Sequence, residues 1–218
     1  MNTPSKLVLF DCDGVIVDSE PVTNQVIRDD LAGRGLDLPV AEVMERFVGG
    51  TMVDVRARAA AMGAEMPEDW VEIIYPKIYH ALETTVEAIP GIEAVLDALD
   101  ASGIPYAVGS NGRVVKMELT LGRTGLLPRF AGRLYSGQDC DRPKPAPDVY
   151  LKAARVAGVS PAHTVVIEDS ASGAAAGQAA GMRTLGFIAD TAPEKLTPHC
   201  DALFTHMSEL PALLGLDG

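Results

Sequence analysis

Leu7-Val8-Leu9-Phe10 is an uninterrupted apolar run that ends directly on Asp11-Cys12-Asp13-Gly14. Such a run reads as a strand buried on both faces, as in parallel sheets, and the carboxyl ends of these strands are where open α/β sheets bind ligands. In an extended chain Asp11 and Asp13 share one side while Cys12 faces the other. Taken alone, Asp-x-Asp-Gly is equally an acidic turn with Gly14 at positive φ. It is not an EF-hand calcium loop, because the required third oxygen ligand, the glycine at the sixth position and the glutamate at the twelfth do not follow.

From Ser19, a candidate N-cap, and Pro21, the sequence predicts a helix ending near Gly33-Arg34-Gly35. Segments around Val40 to Phe47, Met52 to Met62 and Glu68 to Glu83 continue the helical pattern, punctuated by Gly49-Gly50, Gly63 and Pro67. After Pro90-Gly91 the pattern alternates. Strands are predicted at Tyr106 to Gly109, Arg133 to Ser136, Thr164 to Ile167, Thr184 to Phe187 and Ala202 to Phe204. Helices are predicted at Ile92 to Ala101, Arg113 to Arg123, Pro147 to Ala157, Ala171 to Ala180 and Ser208 to Leu214. One strand thus precedes a helical stretch and all others follow it. The expected fold is α/β, a Rossmann-like parallel-sheet core over residues 1–17 and 87–218 with an α-helical domain inserted at 18–86.

Hydrophobic residues make up 47% of the 218 and aromatics 5%, which suits helices packed closely on a sheet and argues against disorder. A formal net charge of -12 opposes contact with a phosphate backbone, so no nucleic-acid partner is expected. Cys12, Cys140 and Cys200 are an odd number at unrelated spacings, without a disulfide framework or a Cys-x-x-Cys knuckle, which fits a reducing cytoplasm. With no export signal and no apolar run of membrane-spanning length, no membrane partner and a cytoplasmic location are expected.

Three further loops follow predicted strands. Ser110-Asn111-Gly112 opens a helix, where a hydroxyl and backbone N–H groups can bind an anion or simply cap the helix. It is not a nucleophilic-serine elbow, which would need glycine at Val108. Lys144 lies between Pro143 and Pro145, which restrict the backbone that carries it. Thr164-Val165-Val166-Ile167-Glu168-Asp169-Ser170 repeats the opening pattern, with a second carboxylate pair after an apolar strand. Gly173, Gly177 and Gly181 match neither a dinucleotide nor a Walker fingerprint and suit close packing of a helix on the sheet.

All these loops would lie along one edge of one sheet, gathering four acids around Lys144. Each close pair of like charges costs about 1–4 kcal/mol, so the cluster calls for a cation. Oxygen ligands in an incomplete cage favour Mg²⁺ over Ca²⁺ or Zn²⁺. The histidines, His80, His163, His199 and His206, fall away from these loops and receive no ligand role.

With Asp11-Cys12-Asp13-Gly14, Ser110-Asn111, Lys144-Pro145 and Glu168-Asp169-Ser170 in order, the chain resembles the haloacid dehalogenase (HAD) superfamily along its whole length, in the branch with a small helical cap. The resemblance implies an Mg²⁺-dependent phosphatase acting through an aspartyl-phosphate. Asp11 would be the nucleophile and Asp13 the acid and base; Ser110, Asn111 and Lys144 would bind phosphate. Asp11, Asp13 through its carbonyl and Asp169 would hold Mg²⁺, with Glu168 supporting them. In the related β-phosphoglucomutases a cap histidine and a Lys/Arg-bearing cap loop handle the sugar bisphosphate, whereas the matching positions here are Thr23 and Val48 to Met52. Hydrolysis is therefore expected over mutase chemistry, with a non-catalytic phospho-ligand binding protein as the other alternative.

The C-terminal half is also similar to bacterial 6-phosphogluconate phosphatases, through Ser110-Asn111-Gly112, Leu134 to Gly137, Lys144-Pro145 and Phe204 to Pro211. That implies a small phosphorylated substrate, a sugar phosphate or sugar-acid phosphate such as 6-phosphogluconate. Selectivity in the family comes largely from the cap, where Val48 replaces their lysine. The candidate cap contacts are Thr23, Val48, Gly49, Thr51 and Arg56. A monomer or weak dimer is expected.

Overall fold

The computed structural model describes residues 6–47, 51–189 and 191–216. By contacts the chain forms two units, Met1–Asp18 with Ala88–Gly218, and Ser19–Glu87. The insertion expected from the sequence, 18–86, differs from the second unit by one residue at each end.

The first unit is built on a sheet containing β1 (Leu7–Phe10), β4 (Tyr106–Ser110), β5 (Leu134–Ser136), β6 (Thr164–Glu168), β7 (Arg183–Phe187) and β8 (Ala202–Phe204). Its spatial order is β5-β4-β1-β6-β7-β8, and neighbouring strands are parallel throughout. Two short strands, β2 (Val17–Asp18) and β3 (Glu87–Ala88), form a separate sheet. The chain therefore lays strands to one side of β1, then returns to its other side with β6. Order reverses between β1 and β6, which opens a crevice at their carboxyl ends. Phe10 is in register with Ile167, and the Asp11 N–H donates to the Ile167 carbonyl at 2.9 Å. Asp11 and Glu168 consequently leave the sheet side by side.

The helices of this unit are α5 (Ile92–Ala101), α6 (Val114–Arg123), α7 (Asp148–Ala157), α8 (Ala171–Ala179), α9 (Pro193–Leu196) and α10 (Leu210–Leu214). β1, β4 and β6 are buried at every residue, as a parallel sheet covered on both faces requires. On one face Leu7, Leu9, Ala107 and Val166 form a cluster with Val149, Tyr150, Ala153 and Ala154 of α7 and Ala176 of α8. Alternation along the strands turns Phe10 and Tyr106 to the opposite face. There Tyr106 meets Phe10 and Phe130 edge-on, with centroids 6.4 and 5.3 Å away. Each such fully buried apolar side chain contributes about 1.5–3 kcal/mol.

The second unit contains α1 (Glu20–Ala32), α2 (Val40–Phe47), α3 (Met52–Ala61) and α4 (Trp70–Thr85). Its interior includes Ile27, Leu31, Val43, Trp70, Ile74 and Leu82. Among these apolar side chains lies the Asp30 carboxylate, only 4% exposed, which accepts from Arg34 Nε at 2.6 Å, Trp70 Nε1 at 2.7 Å and Lys77 Nζ at 2.7 Å. No helix among the described residues is long and apolar enough to cross a membrane.

Two local differences from the sequence reading have simple causes. Ser208 to Leu214 is a 3-10 turn over Met207–Glu209 followed by α10, not one helix. The Glu209 side chain accepts the Thr205 and His206 N–H groups and so holds the tighter turn before Pro211. The four-residue α9 starts at a proline and is too short to show a helical period.

Candidate active site

Asp11 follows the last residue of β1 and is 8% exposed. Lys144 Nζ donates to Asp11 Oδ1 at 2.8 Å and to Glu168 Oε1 at 2.6 Å. One buried ammonium thus serves two carboxylates. Burial opposes its charge, but Asp11 and Glu168 outweigh that and raise the Lys144 pKa. Burial dominates at Asp11, pushing its carboxyl up to about 6 against the pull of Lys144.

The lysine loop is fixed by Asn111. Its Oδ1 accepts the Lys144 N–H at 2.9 Å, and its Nδ2 donates to the Lys144 carbonyl at 3.2 Å. The side-chain amide of this predicted phosphate ligand is therefore engaged with the backbone of another loop. Ser110 is buried at the end of β4, with its Oγ accepting the Gly112 N–H at 3.1 Å. Ser136 Oγ donates to the Gly112 carbonyl at 2.7 Å and ties that turn to β5.

Glu168, at the end of β6, is fully buried and bonded on both oxygens. Tyr150 donates from its hydroxyl to Oε1 at 2.7 Å, while Ser170 donates to Oε2 from its N–H at 3.1 Å and its hydroxyl at 2.9 Å. Ser170 Oγ also caps α8 by accepting the Gly173 N–H at 3.0 Å. A Cβ at Gly173 would overlap the Glu168 carboxylate, and one at Gly14, whose φ is 76°, would overlap that of Asp169. Glycine is required at both places by close approach of an acid.

Asp11, Glu168 and Asp169 each offer an oxygen within 4.8 Å of the others. Asp13 makes a different pairing from the expected cluster around Lys144. Lys116 Nζ donates to Asp13 Oδ1 at 2.8 Å, so two lysines serve three of the four acids, Asp11, Glu168 and Asp13. Burial works against the Lys116 charge, yet Asp13 carries its pKa above the ordinary value. Four carboxylates and two ammoniums leave two negative charges, and the donors are all oxygen. That set fits one hard divalent cation.

Sequence reasoning missed Lys116 and Tyr150. Lys116 carried a readable signal, a cation in the first turn of α6, where the helix dipole disfavours positive charge. For Tyr150 the sequence holds no such signal, since its role depends on how α7 packs on the sheet and brings its hydroxyl to Glu168.

In the helical unit, Val48 and Gly49 lie outside the described residues. Thr23 is a half-buried residue of α1. Thr51 caps α3: its Oγ1 accepts the Asp54 N–H at 3.2 Å while its own N–H donates to the Asp54 carboxylate at 2.9 Å. Arg56 donates from Nε to the Pro67 carbonyl at 2.7 Å. Thr51 and Arg56 therefore already hold parts of this unit together.

A parallel sheet with an acidic, lysine-bearing crevice at its switch point is the frame of an α/β enzyme. The chain belongs to the haloacid dehalogenase-like hydrolase family, whose sequence profile matches residues 5–181. The 6-phosphogluconate phosphatase of Escherichia coli (strain K12) is 32% identical over 208 residues, 94% of this chain and 93% of that protein. Hexitol phosphatase B of the same organism is 27% identical over 190 residues, 85% of each chain. Among solved structures, a HAD family hydrolase from Deinococcus radiodurans R1 with bound phosphate and sodium superposes with a TM-score of 0.86 at 36% identity, covering 98% of this chain and 97% of that one. The protein is an enzyme, a phosphatase of this family.

Proposed function

We propose that the protein hydrolyses a small phosphate monoester, a sugar phosphate or sugar-acid phosphate such as 6-phosphogluconate, with Mg²⁺ as its metal and Asp11 as its nucleophile. The observation that carries this reading is the convergence of Asp11, Lys144, Glu168 and Asp169 where β1 and β6 part. In this reading Asp11 forms a bond to phosphorus while the ester P–O bond breaks, its electron pair going to the leaving oxygen. Asp13 gives that oxygen a proton and then takes one from the water that attacks the aspartyl-phosphate. The Ser110 hydroxyl, the N–H of Asn111 and Lys144 hold the transferring oxygens, and Glu168 keeps Lys144 in place. Mg²⁺ held by Asp11, Asp169 and the Asp13 carbonyl, with Glu168 behind them, would offset charge on the phosphoryl group.

The substrate class is supported by the 6-phosphogluconate phosphatase relative, similar over nearly the full length of both chains. Residues 18–86, the helical insertion, are assigned the role of a cap that selects the substrate.

The test is inorganic phosphate release from sugar, polyol and nucleotide monophosphates including 6-phosphogluconate, with Mg²⁺ or EDTA, for the native protein and Asp11→Ala. Release that needs both the metal and Asp11, greatest on sugar-acid or sugar phosphates, is the expected result. Isomerisation of β-glucose 1-phosphate in the presence of its bisphosphate, without phosphate release, would replace hydrolysis by mutase chemistry. Binding without turnover in either assay would leave a phospho-ligand binding protein.

A further inference from the structure

Lys116 and Asp13 lie 103 positions apart in the chain and meet at 2.8 Å. The lysine side chain is 21% exposed and the aspartate 26%, so the pair is largely withdrawn from water. Three features make this contact more than a surface ion pair. First, Lys116 lies within the first turn of α6, a turn that contains no acid. A cation there opposes the helix dipole by about 0.3–1 kcal/mol, so local helix energetics do not explain it. Second, α6 follows Ser110-Asn111-Gly112, so the lysine is anchored to the loop proposed to bind phosphate. Its side chain also lies against that loop, since a Cβ at Gly112 would come 3.8 Å from Lys116 Cδ and 3.6 Å from Asp13 Oδ2. Third, Lys144 is already committed to Asp11 and Glu168.

We propose that Lys116 is a positioning residue for the reaction, holding the Asp13 side chain in register with the Ser110–Gly112 loop so that, protonated in the substrate complex, it gives its proton to the leaving oxygen and is left as the carboxylate that takes one back from water. The inference rests on the assignment of Asp13 as acid and base. A bound phosphoryl group is located by Ser110 and Lys144, and Asp13 must be located relative to the same atoms. A salt bridge to α6, which follows the Ser110–Gly112 loop, does this directly. Misplacement by about 1 Å is enough to cost two orders of magnitude in rate.

The test exploits leaving groups. An alkyl phosphate needs a proton on its departing oxygen, while p-nitrophenyl phosphate departs as a stable phenolate. Native enzyme, Lys116→Met, Lys116→Arg and Asp13→Asn are compared in single-turnover and steady-state assays with glycerol 2-phosphate or the best sugar phosphate, and with p-nitrophenyl phosphate. In Lys116→Met the first turnover of the alkyl ester should slow about 100-fold, with KM changed by less than about twofold. The first release of nitrophenolate should be nearly unchanged and be followed by a slow steady state, because water activation also depends on Asp13. Lys116→Arg should restore most of the rate. Equal losses on both esters, a rise in KM alone, or full activity would each overturn the inference. If Asp13→Asn keeps full alkyl turnover, the acid–base assignment fails and takes this inference with it. If Asp13→Asn is impaired while Lys116→Met is not, only the role of Lys116 fails. Lys116→Gln, which keeps a donor without the charge, serves should the methionine variant not fold.

Discussion

At position 144 an ammonium sits between two buried carboxylates, so its removal does more than delete a phosphate contact. Lys144→Met would leave Asp11 and Glu168 facing each other without a counter-charge, and breaking such a buried pair costs about 3–5 kcal/mol. Burial already pushes Asp11 up to about 6 with the lysine present, and without the lysine this acid would take up a proton more readily. The expected result is a destabilisation measured by thermal unfolding that is large at pH 8 and smaller at pH 5, together with turnover lowered at least about 1000-fold. Equal destabilisation at both pH values would show that Asp11 does not titrate with the lysine. The same Asp11 value governs metal binding. Its pKa in the folded protein lies above that of an ordinary carboxylate, so the metal-free protein holds a proton near pH 5 that a bound cation must displace. The stability contribution of this acid is therefore largest at low pH and declines as pH rises through about 6, while metal affinity rises over that range. Titration of Mg²⁺ by calorimetry should show affinity falling about tenfold per pH unit below 6 for one displaced proton. An affinity flat between pH 5 and 7 would mean that Asp11 is already ionised there.

The turn from β6 into α8 shows how an element carries chemistry it does not itself perform. Glu168 ends the strand, Ser170 bonds its carboxylate and caps the helix, and Gly173 lets that carboxylate lie against the first turn. Gly173→Ala would gain helix propensity of about 1 kcal/mol in an open helix. Here the methyl would displace Glu168, and with it Lys144. Thermal unfolding should show a net loss of about 2 kcal/mol or more, and phosphatase turnover should fall with it. Unchanged stability would mean that the loop can shift at little cost. The strands and most helices of this unit were legible because their apolar runs and periods are local properties of the chain. The acidic pairs at Asp11-Asp13 and Glu168-Asp169 were legible too, as charge directly after buried strands. What could not be read was the pairing among those charges. Lys144 meets Asp11 across 133 positions and Lys116 meets Asp13 across 103, by routes that depend on the order in which strands are laid into the sheet. β2 and β3 are two residues each, below the length at which alternation can be detected.

On the scale of the whole molecule, an excess of acid with a formal charge of -12 is compatible with two folded cores only if buried acids are matched within each. The sheet unit pairs Asp11, Glu168 and Asp13 with two lysines at the candidate site. The helical unit buries Asp30 and matches it with Arg34, Lys77 and Trp70 on α1, its C-terminal turn and α4. Burial alone would raise this carboxyl, but the hydrogen bonds from Arg34, Lys77 and Trp70 outweigh it and hold it down at about 2. A carboxylate depressed in the folded state stabilises it fully above the unfolded pKa and loses that contribution as pH falls through the folded value. The helical unit should therefore keep this contribution above about pH 4 and lose it towards pH 2. Asp30→Ala removes it at every pH and leaves three donors without their shared acceptor, a cost of about 2–4 kcal/mol. Because the contacts divide the chain at Ser19–Glu87, that cost should fall first on this unit. Hydrogen exchange followed by mass spectrometry on Asp30→Ala at pH 7 should show protection lost in α1 and α4 while β1, β4 and β6 remain protected. Loss spreading equally into those strands would mean that the two units unfold as one, and would make a buried aspartate in the insertion a determinant of the stability of the catalytic sheet.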